Sequence, residues 1–454
     1  QATPRPFDPS SFPPPMKSPL LCLALGAASL LSAQSAPTPS GTATSQEAVQ
    51  LSVFTVNDDK NVGYESMHTT AGLRTVQELK NVANSISIMN SQMIEDLAAL
   101  NIEEMSRWFV TGEQSPDPAQ PNQLIFRGVR NSFALRNGWI WYSPMDSFVT
   151  ERVELLRGPN AFLYGETDLG GANNQVTKHG VFTRNFTRAK LMFGGGTDSL
   201  ANNNLRRAEL DLNRVIRKNE LALRFASVAS DSNGWADNQS RGIRGLYGAV
   251  TWRPFRSTTI SVLAEHSATK AVNAQGLFLE NYTYTTVSTL AASGGLIYLP
   301  ATGVYYRATG QKRSNGTGLT AIDSSVVPRG LHVAGPNSSI KDTYSTVTLE
   351  VEQNIGKNLH LLLSGNLLYT EYFRTESYSG NIVRDIRLSA IYDVNTRWMK
   401  QQIALNLQQH QDNPSSQKGA KFGEYIDPAN PAWQGVINPA VTAAAFTANR
   451  TVFT

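Results

Sequence analysis

The six histidines, His68, His179, His266, His332, His360 and His410, are scattered along the chain without the spacing that a metal-ligand set needs. Gly194-Gly195-Gly196 is not followed by Gly-Lys-Ser/Thr, so it is no phosphate loop and reads as a strand end. No G-x-S-x-G elbow is present. Asp342 and the many glutamates read as structural charges rather than acid/base pairs. The expectation is a chain that is not an enzyme and has no metal or cofactor. What remains is binding. Residues 112–122 and 131–146 read as loops, and the second carries Arg136, Trp139, Trp141 and Tyr142. Aromatic rings and a guanidinium side by side suit aromatic or anionic ligands, through stacking and bidentate hydrogen bonds. The same tryptophans equally suit packing between two parts of the fold.

Composition narrows the class. A net charge of +4 on 454 residues is no nucleic-acid footprint. A mean hydropathy of −0.27 argues against a helical membrane protein but leaves a β-barrel open, because barrel strands alternate apolar and polar residues. Residues 1–15 are Pro-rich and read as upstream, disordered sequence. Residues 16–33 have the build of an export signal: Met16-Lys17, a short apolar run from Leu20 to Leu31, and a small-residue cleavage site at Leu31-Ser32-Ala33. The single cysteine, Cys22, lies inside that signal, so the exported chain is expected to carry no thiol.

Residues 34–60 form a linker that contains a short alternating stretch at 47–56, either an edge strand or a segment that adds to another protein's sheet. Residues 76–111 read as small α/β material. Ser85–Met89 is a strand, Ser91 caps one helix, and Asn101 caps another with Glu104 at the capping-box position. Leu124–Arg130 reads as a strand ending at its glycine, Val149–Leu156 as another, and Arg157–Asn160 as a turn. Beyond about residue 183 the period becomes two. Ala208, Leu210 and Leu212 lie opposite Arg207, Glu209 and Asp211, and Val347, Leu349 and Val351 lie opposite Thr346, Thr348 and Glu350. About eight such segments fall near 185–194, 205–215, 220–229, 242–253, 257–267, 342–354, 358–374 and 385–394. Short connections at 216–219, 254–256 and 355–357 alternate strictly with longer ones, of which the longest spans 268–341. That order is expected of an outer-membrane barrel. A soluble β-sandwich also alternates but accounts for neither the order nor the long connection.

From Val49 to Lys178 the chain resembles the plug domain of the TonB-dependent outer-membrane receptors. The resemblance is carried by Val82–Met89, Gln92–Leu97, Phe126-Arg127-Gly128-Val129-Arg130, the run Glu151–Gly165 with its Arg157-Gly158-Pro159 and Tyr164-Gly165, and Gly170-Gly171 leading to Lys178. It implies an α+β plug over 61–180, followed over 181–454 by antiparallel transmembrane β-barrel strands. It makes Leu51, Ser52, Val53, Phe54, Thr55 and Val56 the TonB box, the strand that pairs with a TonB-type energy-coupling protein in the periplasm. It implies outer-membrane lipid as surroundings, a ferric siderophore as the default ligand, and import of that ligand as the function. Physical reasons stand beside it. Proline cannot donate to a ladder, so Arg157-Gly158-Pro159 closes a strand. Gly165, Gly170 and Gly171 permit positive φ or close backbone approach. Arg127, Glu151, Arg152, Glu154 and Arg157 are too many charges to bury singly, and inside a barrel they would pair with one another and with inward-facing strand residues. A family barrel has about 22 strands, so eight segments imply an incomplete barrel and a fragment of a longer receptor. Two rival readings are a receptor remnant that acts only as a surface binding or structural protein, and a secreted soluble β-protein.

Overall fold

A computed structural model describes residues 63–70, 76–82, 85–109, 112–114, 124–126, 128–130, 134–157, 170–196, 203–234, 239–272, 296–299, 304–307, 340–374, 377–396, 398 and 400–418. All of them belong to one unit that starts at residue 50. The export signal, the linker and Leu51–Val56 lie outside the described residues. No helix among the described residues is long and apolar enough to cross a membrane.

The first layer is small and mixed. A short pair, β1 (His68–Thr69) and β2 (Gln77–Glu78), precedes β3 (Ser85–Asn90), α1 (Ser91–Asp96) and α2 (Ile102–Ser106). Asn90, not Ser91, caps α1: its side chain accepts from the Met93 amide at 3.0 Å. Asn101 caps α2 by accepting from the Glu104 amide at 2.8 Å, and Glu104 reaches back to accept from the Leu100 amide at 2.8 Å. Next come β4 (Gly112–Gln114), β5 (Leu124–Phe126), β6 (Val129–Arg130), β7 (Ala134–Arg136), β8 (Trp139–Trp141), β9 (Thr150–Arg157) and β10 (Gly171–Thr177).

Two expectations are corrected here. Leu124–Arg130 is not one strand but the hairpin β5–β6, with Phe126 opposite Val129 across a turn at Gly128. Residues 131–146 are not a loop. They contain the hairpin β7–β8, turned at Asn137 (φ 50°) and Gly138 (φ 74°), the Asn-Gly pair that a two-residue hairpin favours.

Strands β3, β9, β10, β7 and β8 form one sheet in that order. Its second strand β9, Thr-Glu-Arg-Val-Glu-Leu-Leu-Arg, is buried along nearly its whole length. Val153 and Leu155 pack with Met89, Ile94, Ile102 and Met105, whereas Leu156 packs with Leu135, Ile140 and Ala172. Gly171 has φ 144°, and a Cβ there would stand 2.3 Å from the Leu156 carbonyl oxygen, so β10 closes on β9 only with glycine at this point.

The second layer is a nine-stranded antiparallel meander: β11 (Phe186–Gly195), β12 (Asn204–Arg217), β13 (Leu221–Asn233), β14 (Ser240–Phe255), β15 (Thr258–Val272), β18 (Ile340–Ile355), β19 (Leu359–Arg374), β20 (Ser377–Asn395) and β21 (Lys400–Lys418). A separate hairpin of β16 (Leu296–Leu299) and β17 (Val304–Arg307) lies in the connection between β15 and β18. Sequence periodicity found eight strands of this wall. The ninth, β21, is polar apart from Ile403, Ala404, Leu405 and Leu407, and it tolerates Pro414 because among the described residues it pairs with β20 alone.

The strict alternation of short and long connections fails once. β19 ends at Arg374 and β20 begins at Ser377, because both strands run well past the ~10 residues that cross a bilayer. One face of the wall exposes Leu246, Val250, Leu363, Leu367, Ile386, Leu388, Leu405 and Leu407; the other buries Arg207, Asp211, Arg224, Glu265, Asn366 and Arg387. An apolar outer face over a polar inner one inverts a soluble sheet and matches a membrane barrel wall.

Candidate functional site

The functional residues gather where the small layer meets the inner face of the wall. The β7–β8 hairpin makes the first cluster. Arg136 forms an ion pair with Glu265 of β15, and the Tyr344 hydroxyl of β18 donates to the same carboxylate at 2.5 Å. The Arg136 guanidinium lies 4.3 Å from the centre of the Trp141 ring, which meets Tyr344 edge-on at 5.2 Å and 88°. Arg387 of β20 stacks on Trp139 at 4.1 Å and donates to the carbonyls of Gly138 and Asn137 at 3.4 and 3.3 Å. Burial opposes the charge on Arg136, but Glu265 more than offsets it and holds the cation firmly.

The placement of Arg136, Trp139 and Trp141 on a loop is therefore corrected. Their exposures are 4%, 1% and 4%, because the hairpin turns them onto the wall. Tyr142 is half-buried beside them.

A second cluster holds the segment between β8 and β9. Asp146 caps the 3-10 turn Ser147–Val149 by accepting from the Phe148 amide at 2.9 Å. It also receives Arg207 of β12 bidentately at 2.6 and 3.1 Å, while the Arg207 Nε donates to Glu209 at 2.5 Å. Phe148 fills a notch in the wall among Ala226, Val228, Ile243 and Tyr247. The notch exists because residue 245 is glycine: a Cβ there would stand 2.6 Å from the Phe148 ring.

A third cluster follows the exit of the layer. Arg224 of β13 forms two bonds to Asp211 at 2.9 and 2.8 Å and reaches Glu151 at 3.3 Å, and Lys178 binds Asp211 at 2.9 Å. His179 faces Glu350 of β18 at 3.1 Å. The Gly180 amide donates to Thr251 at 3.0 Å and the Val181 amide to Asn213 at 2.9 Å.

Other sequence-predicted residues stay inside the small layer. Arg152 pairs with Glu154 at 2.8 Å, and Glu154 also accepts from Thr69 and Thr70. Arg157 donates to Ser85 and Ser87. Gly128 turns β5 into β6, and Gly170 sits against Phe126 and Val129. The backbone of Arg130 lies in β6. Arg127, Gly158, Pro159, Tyr164 and Gly165 lie outside the described residues.

Residues 78–172 match the family model of the TonB-dependent Receptor Plug Domain. The chain carries the plug domain of the TonB-dependent receptors, and the relatives it matches are receptors of that kind. It is 27% identical over 238 residues to the metal-pseudopaline receptor CntO of Pseudomonas aeruginosa, covering 49% of this chain and 32% of that receptor. It is 22% identical over 215 residues to the ferrioxamine receptor of Yersinia enterocolitica, covering 44% of this chain and 29% of that one. Among solved structures, the FpvAI–pyocin S2 complex superposes with a TM-score of 0.58 at 14% identity, over 79% of this chain and 45% of that one. The matched part thus spans about a third of the length of the curated relatives.

The plug is the small layer and the barrel wall is the meander. One relative, from Escherichia coli, is named a ferrichrome outer membrane transporter/phage receptor, and the outward apolar face of the wall fits that location. The motifs that carry the plug resemblance stop at Lys178, so the strap from His179 into the barrel had none to reveal it. What signal there is lies in the barrel: Arg207, Glu209 and Asp211 alternate with apolar residues on the outer face, which marks an inner face in need of partners.

Proposed function

We propose that the receptor imports a scarce ligand, an iron–siderophore complex, across the outer membrane, with plug movement driven by a TonB-type coupling protein that pairs with Leu51–Val56. The single observation behind this reading is a plug seated against a polar barrel wall by charge pairs rather than by a continuous apolar core. Arg136–Glu265, Asp146–Arg207, Glu151–Arg224 and Lys178–Asp211 each join one plug group to one wall group. Such a contact can open without exposing a large apolar surface, as a displaceable gate requires. The relatives' names supply the ligand class: one is a ferrioxamine receptor and another a metal-pseudopaline receptor. Energy must come from the partner, since no nucleotide-binding motif is present in the sequence.

The test is uptake of radiolabelled ferric siderophores by cells that carry the whole receptor and lack their own. Accumulation is expected for at least one siderophore class and is lost with Leu51→Pro, which removes a main-chain donor from the pairing strand. Accumulation that survives Leu51→Pro overturns the coupling site, and the absence of accumulation across ferric siderophores overturns the ligand class.

A further inference from the structure

The strap that leaves the plug carries a histidine held between two acceptors. His179 lies two residues beyond the end of β10. Its Nδ1 is 3.0 Å from the Thr177 carbonyl oxygen, and its Nε2 is 3.1 Å from a carboxylate oxygen of Glu350 on β18. A carbonyl oxygen only accepts, and so does a carboxylate, whereas neutral imidazole has a single N–H to give. We propose that His179 is carried as the imidazolium and is a positioning residue, which clasps the exit strap of the plug to β18 and lets go when the ring loses its proton.

The groups around the ring favour the cation. Glu350 and Glu352 of β18 both act on it. From β13, Arg224 donates to the carbonyl of His179 itself at 3.3 Å, but its charge is matched by Asp211 and Glu151. Lys178, the neighbour in the chain, is matched by Asp211 of β12, and Tyr247 of β14 donates to the Lys178 carbonyl. Arg387 of β20 acts on Glu350. Burial pulls the affinity of the ring for a proton down; the Glu350 hydrogen bond and charge, with the Thr177 carbonyl, outweigh it and leave the pKa above the ordinary histidine value. A raised value fixes the sign of the linkage. The clasp contributes fully below about pH 6.5, the unperturbed histidine value, and is lost as pH rises through the raised one. Two other strap contacts, Gly180 to Thr251 and Val181 to Asn213, use uncharged groups and persist.

The inference rests on the plug reading but on neither ligand nor coupling partner, so a failed uptake assay leaves it testable. The whole receptor, labelled with 15N-histidine and reconstituted in lipid vesicles, is compared with His179→Gln so that the difference spectrum isolates one ring. Two protonated ring nitrogens at pH 6.5, one of which is lost at higher pH, are expected; a bare ring nitrogen at pH 6.5 overturns the proposal. A second readout is the melting midpoint at pH 6 and at pH 9. The wild type is expected to lose about 2–4 °C more than either His179→Gln or Glu350→Gln over that interval. A variant that keeps the wild-type pH dependence removes the clasp as its cause, and a purely structural role would lower the midpoint equally at both pH values.

Discussion

A buried arginine beside a buried glutamate holds only as a pair, and Arg136 with Glu265 is the most enclosed such pair between plug and wall. Arg136→Ala would leave the buried Glu265 carboxylate beside the Tyr344 hydroxyl without its cation, at a cost of ~3–5 kcal/mol. Arg136→Met combined with Glu265→Gln is expected to regain most of that loss, because neither change then strands a charge. Urea unfolding of the two variants, followed by tryptophan fluorescence, reads the difference. Residue types were legible in the sequence here: arginine and two tryptophans within a few positions announce stacking. Their direction was not, since it depends on Glu265, Tyr344 and Arg387, which lie 129 or more residues away. Asn137-Gly138 was the local sign that these residues sit on a hairpin rather than in a loop. Phe148 carried no sign at all, because the glycine that makes room for it is in another strand. Gly245→Leu fills that notch and is expected to unseat the plug while the wall still assembles: limited proteolysis should cleave the plug several-fold faster, with heat-modifiable migration on gels unchanged.

At the scale of elements, period-two alternation identified eight of the nine wall strands, and polar residues marked the start of both helices, with the cap of α2 correct and that of α1 placed one residue late. The method weakens where a strand is polar on both faces, as β21 nearly is, and at strand ends. Beyond the bilayer, no apolar face marks where pairing continues, so β19 and β20 run closer together than their hydrophobic stretches suggest. The wall itself offers an internal control. Arg387 points inward and is buried against the plug hairpin, whereas Leu388, the next residue, points outward near the middle of the same strand. An arginine at the second position would face lipid, so Leu388→Arg should cost ~2–4 kcal/mol where a soluble sheet would accept it freely. The yield of folded receptor in outer-membrane fractions measures this, and a wild-type yield would argue against a lipid-facing exterior.

For the whole molecule, plug and wall are complementary in a particular sense: most of what the wall presents inward is polar. Among the described residues, hydrophobic contact between them is confined to two small islands, one around Phe148 and one around Trp141 and Tyr344. Apolar surface raises heat capacity when it meets water, and polar surface lowers it. Withdrawing the plug from this wall therefore exposes surfaces whose heat-capacity effects largely cancel, unlike the melting of an ordinary core. The enthalpy of withdrawing the plug should then vary little with temperature, so the free energy between seated and withdrawn plug follows a straight line rather than a dome, which would suit the gate proposed above on the outermost layer of a cell, where temperature follows the surroundings.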